Sequence, residues 1–331
     1  MHTVTAHISR RCRPLLASAV LVLAIALALV SHASNASGHA AVGATFTQTR
    51  TVAHRSGVRP SYGWPVKPFD RQHPVRGYLN DPRNGGGAKS FHFGIDVSAP
   101  DGTPVYAVEA GKVFNKHGRH AVAVKGATRT FGYWHIVSVV RNHQEVHVHQ
   151  LLGYVVRGEG HVHFAERQRG EYLNPLRPGG IGHYLDRTPP TVASVEFLRG
   201  GRELDATALT GRADIVVEAS DTTPLLVPGP WSRMPVTPAR IRWSIARGSR
   251  RIVALRTAAD FRRVRLSDRL YDSIYAPGTY QNLIGAPGHY RFYLAHHFDV
   301  SRLPTGVSRL RIEAVDTRGN LSVAELDIAR G

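Results

Sequence analysis

The stretch FHFGIDVSAPDGTPVYAVEAGKV, residues 91–113, alternates short apolar runs with glycine and proline turns and carries candidate metal ligands. Short runs of this kind between turn residues are typical of antiparallel β-sheets. The candidate ligands are His92 and Asp96, and in one continuous strand their spacing spans about 13 Å, too far for both side chains to reach one ion. The chain must therefore bend between them, and Gly94 is the residue that permits the bend.

Two further histidine motifs follow this stretch. His135 lies in a Tyr-Trp-His-Ile motif, and His161 and His163 form an H-x-H motif. Residues two apart in a strand share a face, so one histidine can bind a metal while its neighbour faces a substrate. A catalytic zinc takes about three nitrogen or oxygen ligands and leaves one position open for water. We therefore predict a zinc site formed by His92, Asp96 and His163. His135 and His161 remain available for proton transfer.

These motifs, taken in order with GHVHFAE at residues 160–166 and Asn174-Pro175, resemble the lysostaphin-type or LytM-type zinc endopeptidases, which cleave peptide cross-links of bacterial cell walls. The resemblance covers roughly residues 64–177. It implies an antiparallel β-sheet metallopeptidase domain that holds one Zn²⁺ per chain through His92, Asp96 and His163. It also implies that His135 and His161 are the catalytic pair, one as a base and the other as a donor to the developing oxyanion.

The chain carries another H-x-H motif at His147 and His149. That copy precedes residues 150–153, where the family has the turn and strand before its active-site strand, so we assign the ligand to the later motif. The sequence departs from the family before His161, where residues 155–160 replace a longer loop rich in Gly, Ser and Thr. This difference leaves a second interpretation open, namely a catalytically inactive LytM-like protein that binds the wall or activates an amidase.

Residues 1–36 have the layout of a secretory signal peptide. Arginines precede the apolar run of residues 15–30, and small residues suited to cleavage follow it, ending at Ala33 or Ala36. The alternative is an uncleaved membrane anchor, although the run is slightly shorter than the roughly 20 residues that span a bilayer. We therefore expect a protein that is secreted or associated with the cell envelope, and that contacts a membrane only through this segment.

The composition favours anionic partners outside the cell. The formal net charge is +18, carried mostly by arginines spread along the chain without interleaved aromatic residues. Peptidoglycan peptides and anionic cell-wall polymers fit this charge, whereas a specific nucleic-acid site is not predicted. The one cysteine, Cys12, lies in the signal segment, so the mature chain has neither disulfides nor cysteine-bound zinc. The oligomeric state is not fixed by these features.

Proline and glycine patterns divide the rest of the chain. Residues 37–60 are predicted to be a flexible linker or pro-segment, and residues 61–186 the metallopeptidase domain. A boundary follows at the Pro189-Pro190 pair, because prolines cannot continue a sheet. Residues 187–331 then form an accessory domain that we predict to be an immunoglobulin-like β-sandwich. Its seven predicted strands are residues 191–198, 213–219, 241–246, 251–256, 290–294, 310–315 and 321–328.

Two features of the accessory domain are less regular. Residues 260–287 interrupt the strand spacing and are expected to form a loop or a short helix without catalytic residues. Asp221, Glu313 and Asp316 are candidate calcium ligands. Isolated carboxylates at strand ends are usually in solvent, however, and we expect that to hold for these three.

Overall fold

The structure is a computed structural model that describes residues 46–53, 58–114 and 120–331. It consists mainly of antiparallel β-strands, which confirms the predicted fold class. The predicted signal peptide of residues 1–36 lies outside the described residues. Within the described ranges, no helix combines the length and the apolar character needed to cross a membrane.

The first strand, β1 (Phe46–Thr51), precedes the predicted metallopeptidase domain of residues 61–186, here the N-terminal domain. The strands of that domain are β2 (Val75–Gly77), β3 (Pro82–Arg83), β4 (Ser90–Phe91), β5 (Ile95–Ser98), β6 (Pro104–Tyr106), β7 (Gly111–Phe114), β8 (Ala121–Lys125), β9 (Thr130–Trp134), β10 (Ile136–Ser138), β11 (Glu145–Val146), β12 (Leu151–Val155), β13 (His161–Gln168) and β14 (Glu171–Leu173). Its large sheet has the order β11-β7-β8-β9-β13-β5-β2, with β14 also paired to β13. A smaller sheet has the order β10-β12-β6, and β3 pairs with β4.

Strand β13 lies inside the large sheet, and the first six of its residues are buried. Antiparallel partners flank it on both sides, β5 on one and β9 on the other. The register places His163 opposite Asp96 on β5 and opposite Trp134 on β9. Directly opposed residues of antiparallel strands have Cβ atoms about 5 Å apart, so this register alone brings two predicted ligands together.

The accessory domain has two antiparallel sheets. Its strands are β15 (Thr191–Arg199), β16 (Arg202–Glu203), β17 (Arg212–Ser220), β18 (Arg240–Arg247), β19 (Arg250–Asp260), β20 (Arg291–Asp299), β21 (Gly306–Val315) and β22 (Leu321–Arg330), with one short helix, α1 (Tyr271–Ile274). The sheets have the orders β16-β15-β17-β20 and β1-β22-β21-β18-β19. One buried core combines Ile215 and Phe292 of the first sheet with Trp243 and Ile312 of the second. This arrangement agrees with a sandwich, and the immunoglobulin-like classification stays a prediction.

Strand β1 shows that part of residues 37–60, predicted to be a flexible linker or pro-segment, is ordered rather than a flexible linker. Phe46–Thr51 extend the edge of the accessory sheet by pairing with β22, from Phe46 opposite Leu326 to Thr51 opposite Leu321. Backbone pairing to an open sheet edge needs little hydrophobic periodicity, and the side chains of β1 are mostly exposed. The sequence pattern therefore gave no signal for this strand.

Phe91 anchors the two domains to each other. Its ring is 1% exposed and belongs to the accessory core, 5.4 Å from the Tyr271 ring and 5.7 Å from the Tyr275 ring between centroids. The Phe91 N–H donates to the Asp268 carboxylate at 2.8 Å, and the Arg265 Nε–H donates to the Phe91 carbonyl at 2.9 Å. The insertion of residues 260–287 is thus a loop with a short helix, as predicted, and it also holds the residue that precedes His92.

Three carboxylates lie together at the domain boundary. Asp186, Asp221 and Asp316 each offer an oxygen within 4.8 Å of the others. Asp221 and Asp316 are each 2% exposed, so the expectation that they lie in solvent is wrong. Burial raises the pKa of Asp186 to about 7, and burial also raises the pKa of Asp221 and of Asp316. Glu313 is not part of this cluster and instead forms ion pairs with Arg242 and Arg311.

We expect the Asp221→Asn protein to be more stable than the wild type at about pH 7.5, and we expect this advantage to shrink at about pH 4, because burial raises the pKa of the Asp221 carboxyl. A carboxyl group whose pKa is raised by folding stabilises the fold fully below its unfolded pKa, and this stability is lost as the pH rises through the folded pKa. For Asp186 this window runs from 3.8 to about 7. The amide cannot ionise, and its introduction also removes a repulsive charge from the other two carboxylates.

Thermal unfolding followed by circular dichroism at about pH 4 and about pH 7.5 measures this effect, because the two conditions lie near the ends of the window of the neighbouring Asp186 carboxyl. Glu203→Gln, which replaces an exposed acid by its amide, is the matched control and is expected to change little at either pH. A stability difference for Asp221→Asn that is the same at both pH values, or negative at the higher one, would contradict the prediction.

Candidate metal centre

Three predicted ligands meet at one point between β5, β13 and the segment that follows β4. His92 Nε2 lies 2.8 Å from His163 Nδ1 and 3.2 Å from Asp96 Oδ1, and the third distance, His163 Nδ1 to Asp96 Oδ1, is 3.1 Å. His92 and His163 are both 4% exposed. Two imidazole nitrogens and one carboxylate oxygen therefore face a common centre inside the protein.

The chain bends as expected between His92 and Asp96, because β4 ends at Phe91 and β5 begins at Ile95. Gly94 lies in this gap, and its role is to leave space. A Cβ atom at Gly94 would lie 2.4 Å from the Phe164 carbonyl oxygen and 2.9 Å from His163 Nε2. A side chain here would displace the strand that carries His163, so glycine is required for the close approach.

Hydrogen bonds set the orientation of the candidate ligands. His92 Nδ1 donates to the Tyr78 carbonyl at 2.8 Å, which leaves the Nε2 lone pair directed at the centre. Arg83 Nη2 donates to Asp96 Oδ2 at 2.9 Å, so the other carboxylate oxygen, Oδ1, remains for the centre. Gly77 makes room for this pair, because a Cβ there would lie 2.5 Å from Asp96 Oδ2.

The charge states of these residues suit a divalent cation. Burial lowers the pKa of His92, and burial lowers the pKa of His163 to about 4, so both rings are neutral near pH 7. Burial acts to raise the pKa of Asp96, but His92, His163 and Arg83 together lower that pKa well below its usual value. The centre thus offers two neutral imidazoles and an ionised carboxylate, a donor set that zinc accepts.

The predicted catalytic pair lies beside this centre. The rings of His135 and His161 have centroids 4.4 Å apart, and His161 Nε2 is 3.6 Å from Asp96 Oδ1. His161 is 5% exposed, and burial lowers its pKa to about 4, so it is neutral near pH 7. His135 is more open, with 37% of its side chain exposed. Its φ of 64° is uncommon outside glycine, and such backbone conformations cluster at functional sites.

Two residues that the sequence did not single out as functional hold this pair. Arg76 Nη2 lies 2.6 Å from His161 Nδ1, and the same ring nitrogen lies 2.8 Å from the Glu159 carbonyl oxygen. The Glu159 carboxylate in turn lies 3.3 Å from His135 Nδ1. The short turn of residues 155–160 therefore supplies a partner to each histidine, although the sequence comparison had marked it only as a departure from the family.

The other H-x-H motif does not take part. His147 and His149 are exposed, and His149 stacks on Phe69 with ring centroids 3.8 Å apart. Neither belongs to a group of possible metal ligands among the described residues. The choice of His161 and His163 over this pair therefore agrees with the geometry.

The centre opens into a cleft of about 480 Å³ that both domains line. The N-terminal domain contributes Arg76, Phe93 and Trp134 around the histidines. The accessory domain contributes Gln281, from the insertion of residues 260–287, and Trp231, from the turn Gly229–Trp231. The second domain is thus part of the wall of the candidate site.

Comparison with known proteins supports the resemblance drawn from the motifs. Residues 90–175 match the model of peptidase family M23, which confirms that resemblance. No curated protein matches this chain. A zinc-containing peptidase from Vibrio cholerae is 24% identical with a TM-score of 0.30, over 35% of this chain and 39% of that one. Csd3 from Helicobacter pylori is 19% identical with a TM-score of 0.30, over 38% of this chain and 36% of that one.

The catalytic domain of the prophage-encoded M23 protein EnpA from Enterococcus faecalis, solved as a mutant, is also similar. It is 26% identical with a TM-score of 0.27, over 38% of this chain and 100% of that domain. This chain therefore covers less than two thirds of the Vibrio and Helicobacter proteins, whereas it spans the whole Enterococcus domain.

Proposed function

We propose that this chain, whose residues 90–175 match peptidase family M23, is a secreted zinc metalloendopeptidase that hydrolyses peptide bonds of bacterial cell-wall peptidoglycan. One observation carries the proposal. The three candidate ligand atoms of His92, Asp96 and His163 lie 2.8 to 3.2 Å apart, with one imidazole tautomer fixed by the Tyr78 carbonyl. Three protein donors with a neighbouring cleft are the pattern of a catalytic rather than a structural zinc site.

His92, Asp96 and His163 would hold one Zn²⁺ per chain. When bound, zinc supplies a Lewis acid that polarises the scissile carbonyl and makes water a better nucleophile near neutral pH. The side chains supply the rest of the chemistry. Of His135 and His161, one accepts the proton of the attacking water and returns it to the leaving amine, and the other donates a hydrogen bond to the developing oxyanion.

The surroundings of the centre support this chemistry. Phe93 and Trp134 pack against the His163 ring, with centroid distances of 4.3 and 5.0 Å, and limit the access of bulk water from that side. His135 is open to the cleft, so a substrate can reach it. The proposed substrate, a peptide of the wall, is consistent with the basic charge of the chain and with the signal segment predicted at residues 1–36.

The proposal predicts one zinc per chain and a chelator-sensitive hydrolysis of wall peptides. Elemental analysis of the purified mature protein measures the metal, and the release of soluble peptides from purified peptidoglycan, identified by mass spectrometry, measures the activity. Chelation should abolish the release, and added Zn²⁺ should restore it. The same muropeptide masses identify the bond that is cut.

The alternative is a LytM-like protein that binds the wall or activates an amidase without cleaving peptides. The contact of Arg76 with His161 Nδ1 favours this alternative, because a histidine ring held by an arginine is less free to accept and release protons. Stoichiometric zinc without peptide release from any wall type would support this alternative and exclude the endopeptidase.

A further inference from the structure

Arg76 lies in the cleft as a positive charge without an ion-pair partner. It is the middle residue of β2, between buried Val75 and Gly77, so strand alternation turns its side chain to the cleft side. Across the described ranges, no carboxylate oxygen lies within the 4.0 Å of an ion pair from its guanidinium. By contrast, Arg83 and Arg265 in the same cleft are paired with Asp96 and Asp268.

The accessory domain fixes the orientation of this guanidinium. Trp231, from the turn Gly229–Trp231, places its ring 4.3 Å from the Arg76 Cζ atom. A stacked guanidinium keeps its N–H groups free in its own plane. One of them contacts His161 Nδ1 at 2.6 Å, and no other hydrogen bond of the side chain is present within the described residues. Arginine has five N–H donors, so most of them remain available to a ligand.

We propose that Arg76, held between His161 and Trp231, binds a carboxylate of the substrate peptide next to the scissile bond. A carboxylate matches the planar fork of a guanidinium and can accept two parallel hydrogen bonds from it. The contact with His161 places this carboxylate beside the proton-transfer pair. The inference rests on the proposed function and deepens it, because it identifies the substrate class as peptides with a free carboxylate near the bond that is cut.

The proposal also gives the accessory domain a role in specificity. Trp231 belongs to that domain, and removing its ring would leave the Arg76 side chain with only the His161 contact. The accessory domain would therefore select substrates inside the cleft through the arginine that it orients. An aromatic ring at position 231 is enough for stacking, although tryptophan binds a cation best.

Soluble cross-linked muropeptides, native or with their carboxylates converted to amides, test the proposal on the zinc-loaded mature protein. Cleavage rates are measured by liquid chromatography with mass spectrometry, and binding by calorimetry. We expect the wild type to prefer the native peptides by about 10- to 100-fold, the range expected for hydrogen bonds to a charged group. Arg76→Gln should lose this preference, and Trp231→Ala should reduce it more than Trp231→Phe does.

Arg157→Gln is the matched control, because it removes the same charge from an exposed position of the neighbouring turn and should retain the full preference. Equal losses on native and amidated peptides in Arg76→Gln would overturn the proposal, since a residue that only positions His161 acts on both alike. Equal binding of both peptides by the wild type, or binding of neither, would overturn it too. A wild type that binds native peptides preferentially but cleaves none would support this inference while refuting the proposed endopeptidase.

Discussion

His163→Ala is expected to abolish both metal binding and hydrolysis, whereas His161→Ala is expected to retain the metal and lose turnover. His163 Nδ1 is one of three atoms that face the centre, and without it only two donors remain. We expect metal affinity to fall by more than about 100-fold, since even partners outside the ligand set cost 10- to 100-fold. His161 lies beside the centre, so its loss removes either the proton acceptor or the donor to the oxyanion, and either loss costs about 10²-fold or more in rate.

Metal content after dialysis and the rate of peptide release together distinguish the role of His163 from that of His161. His147→Ala is the matched control, because it removes a histidine from the exposed H-x-H motif and should change neither quantity. A His161→Ala protein that cleaves peptides at the wild-type rate would refute the assignment of that residue. A His163→Ala protein that keeps one tightly held metal per chain would refute the proposed ligand set.

Phe91→Ala is expected to lower the free energy of unfolding by about 3–5 kcal/mol, the range for removing a buried aromatic ring. The ring fills a space in the core of the accessory domain, and the backbone of the same residue is held by Arg265 and Asp268. Since His92 follows directly in the chain, relaxation around the cavity should also shift one candidate metal ligand. We therefore expect weaker metal binding in the same variant.

Urea unfolding measures the loss of stability, and a competition assay with a chelating dye measures the affinity for Zn²⁺. Phe69→Ala provides a comparison, because Phe69 is only half-buried and its ring contacts Tyr106 and His149 of its own domain. It should cost less stability and leave metal affinity unchanged. If Phe91→Ala binds zinc as tightly as the wild type, the accessory domain does not support the metal centre in this way.

The sequence predicted the parts of the fold that depend on side-chain alternation. All seven strands predicted for the accessory domain appear, and each is longer than predicted, because alternating apolar residues mark the buried part of a strand and its exposed ends carry no such signal. Strand β1 was missed for the same reason, since it joins the sheet through its backbone with side chains that are mostly exposed. The burial of Asp221 and Asp316 was missed because it depends on contacts between residues far apart in the chain.

The same distinction holds for the candidate site, where residues within motifs could be predicted and contacts between distant residues could not. The order and spacing of the motifs were enough to select His92, Asp96, His135, His161 and His163, and the structure brings all five into one region. The need for Gly94 was anticipated as a bend, whereas the structure shows that it comes from the proximity of His163. Arg76 and Trp231 could not be singled out, because an arginine on a short strand and a tryptophan in a proline-rich turn carry no motif. Only their meeting across the two domains gives them a role.

The insertion of Phe91 into the neighbouring core has a consequence for protein engineering. An N-terminal domain excised from this chain would expose the Phe91 side chain to water, and the accessory domain left behind would contain a cavity in its core. A chimaera that joins either domain to a domain from another protein would have the same defect, unless the new partner has a cavity that accommodates the Phe91 ring or a ring that fills the cavity. Domain exchange in this protein should therefore move both domains as one unit, or move Phe91 together with the tyrosines that its ring contacts.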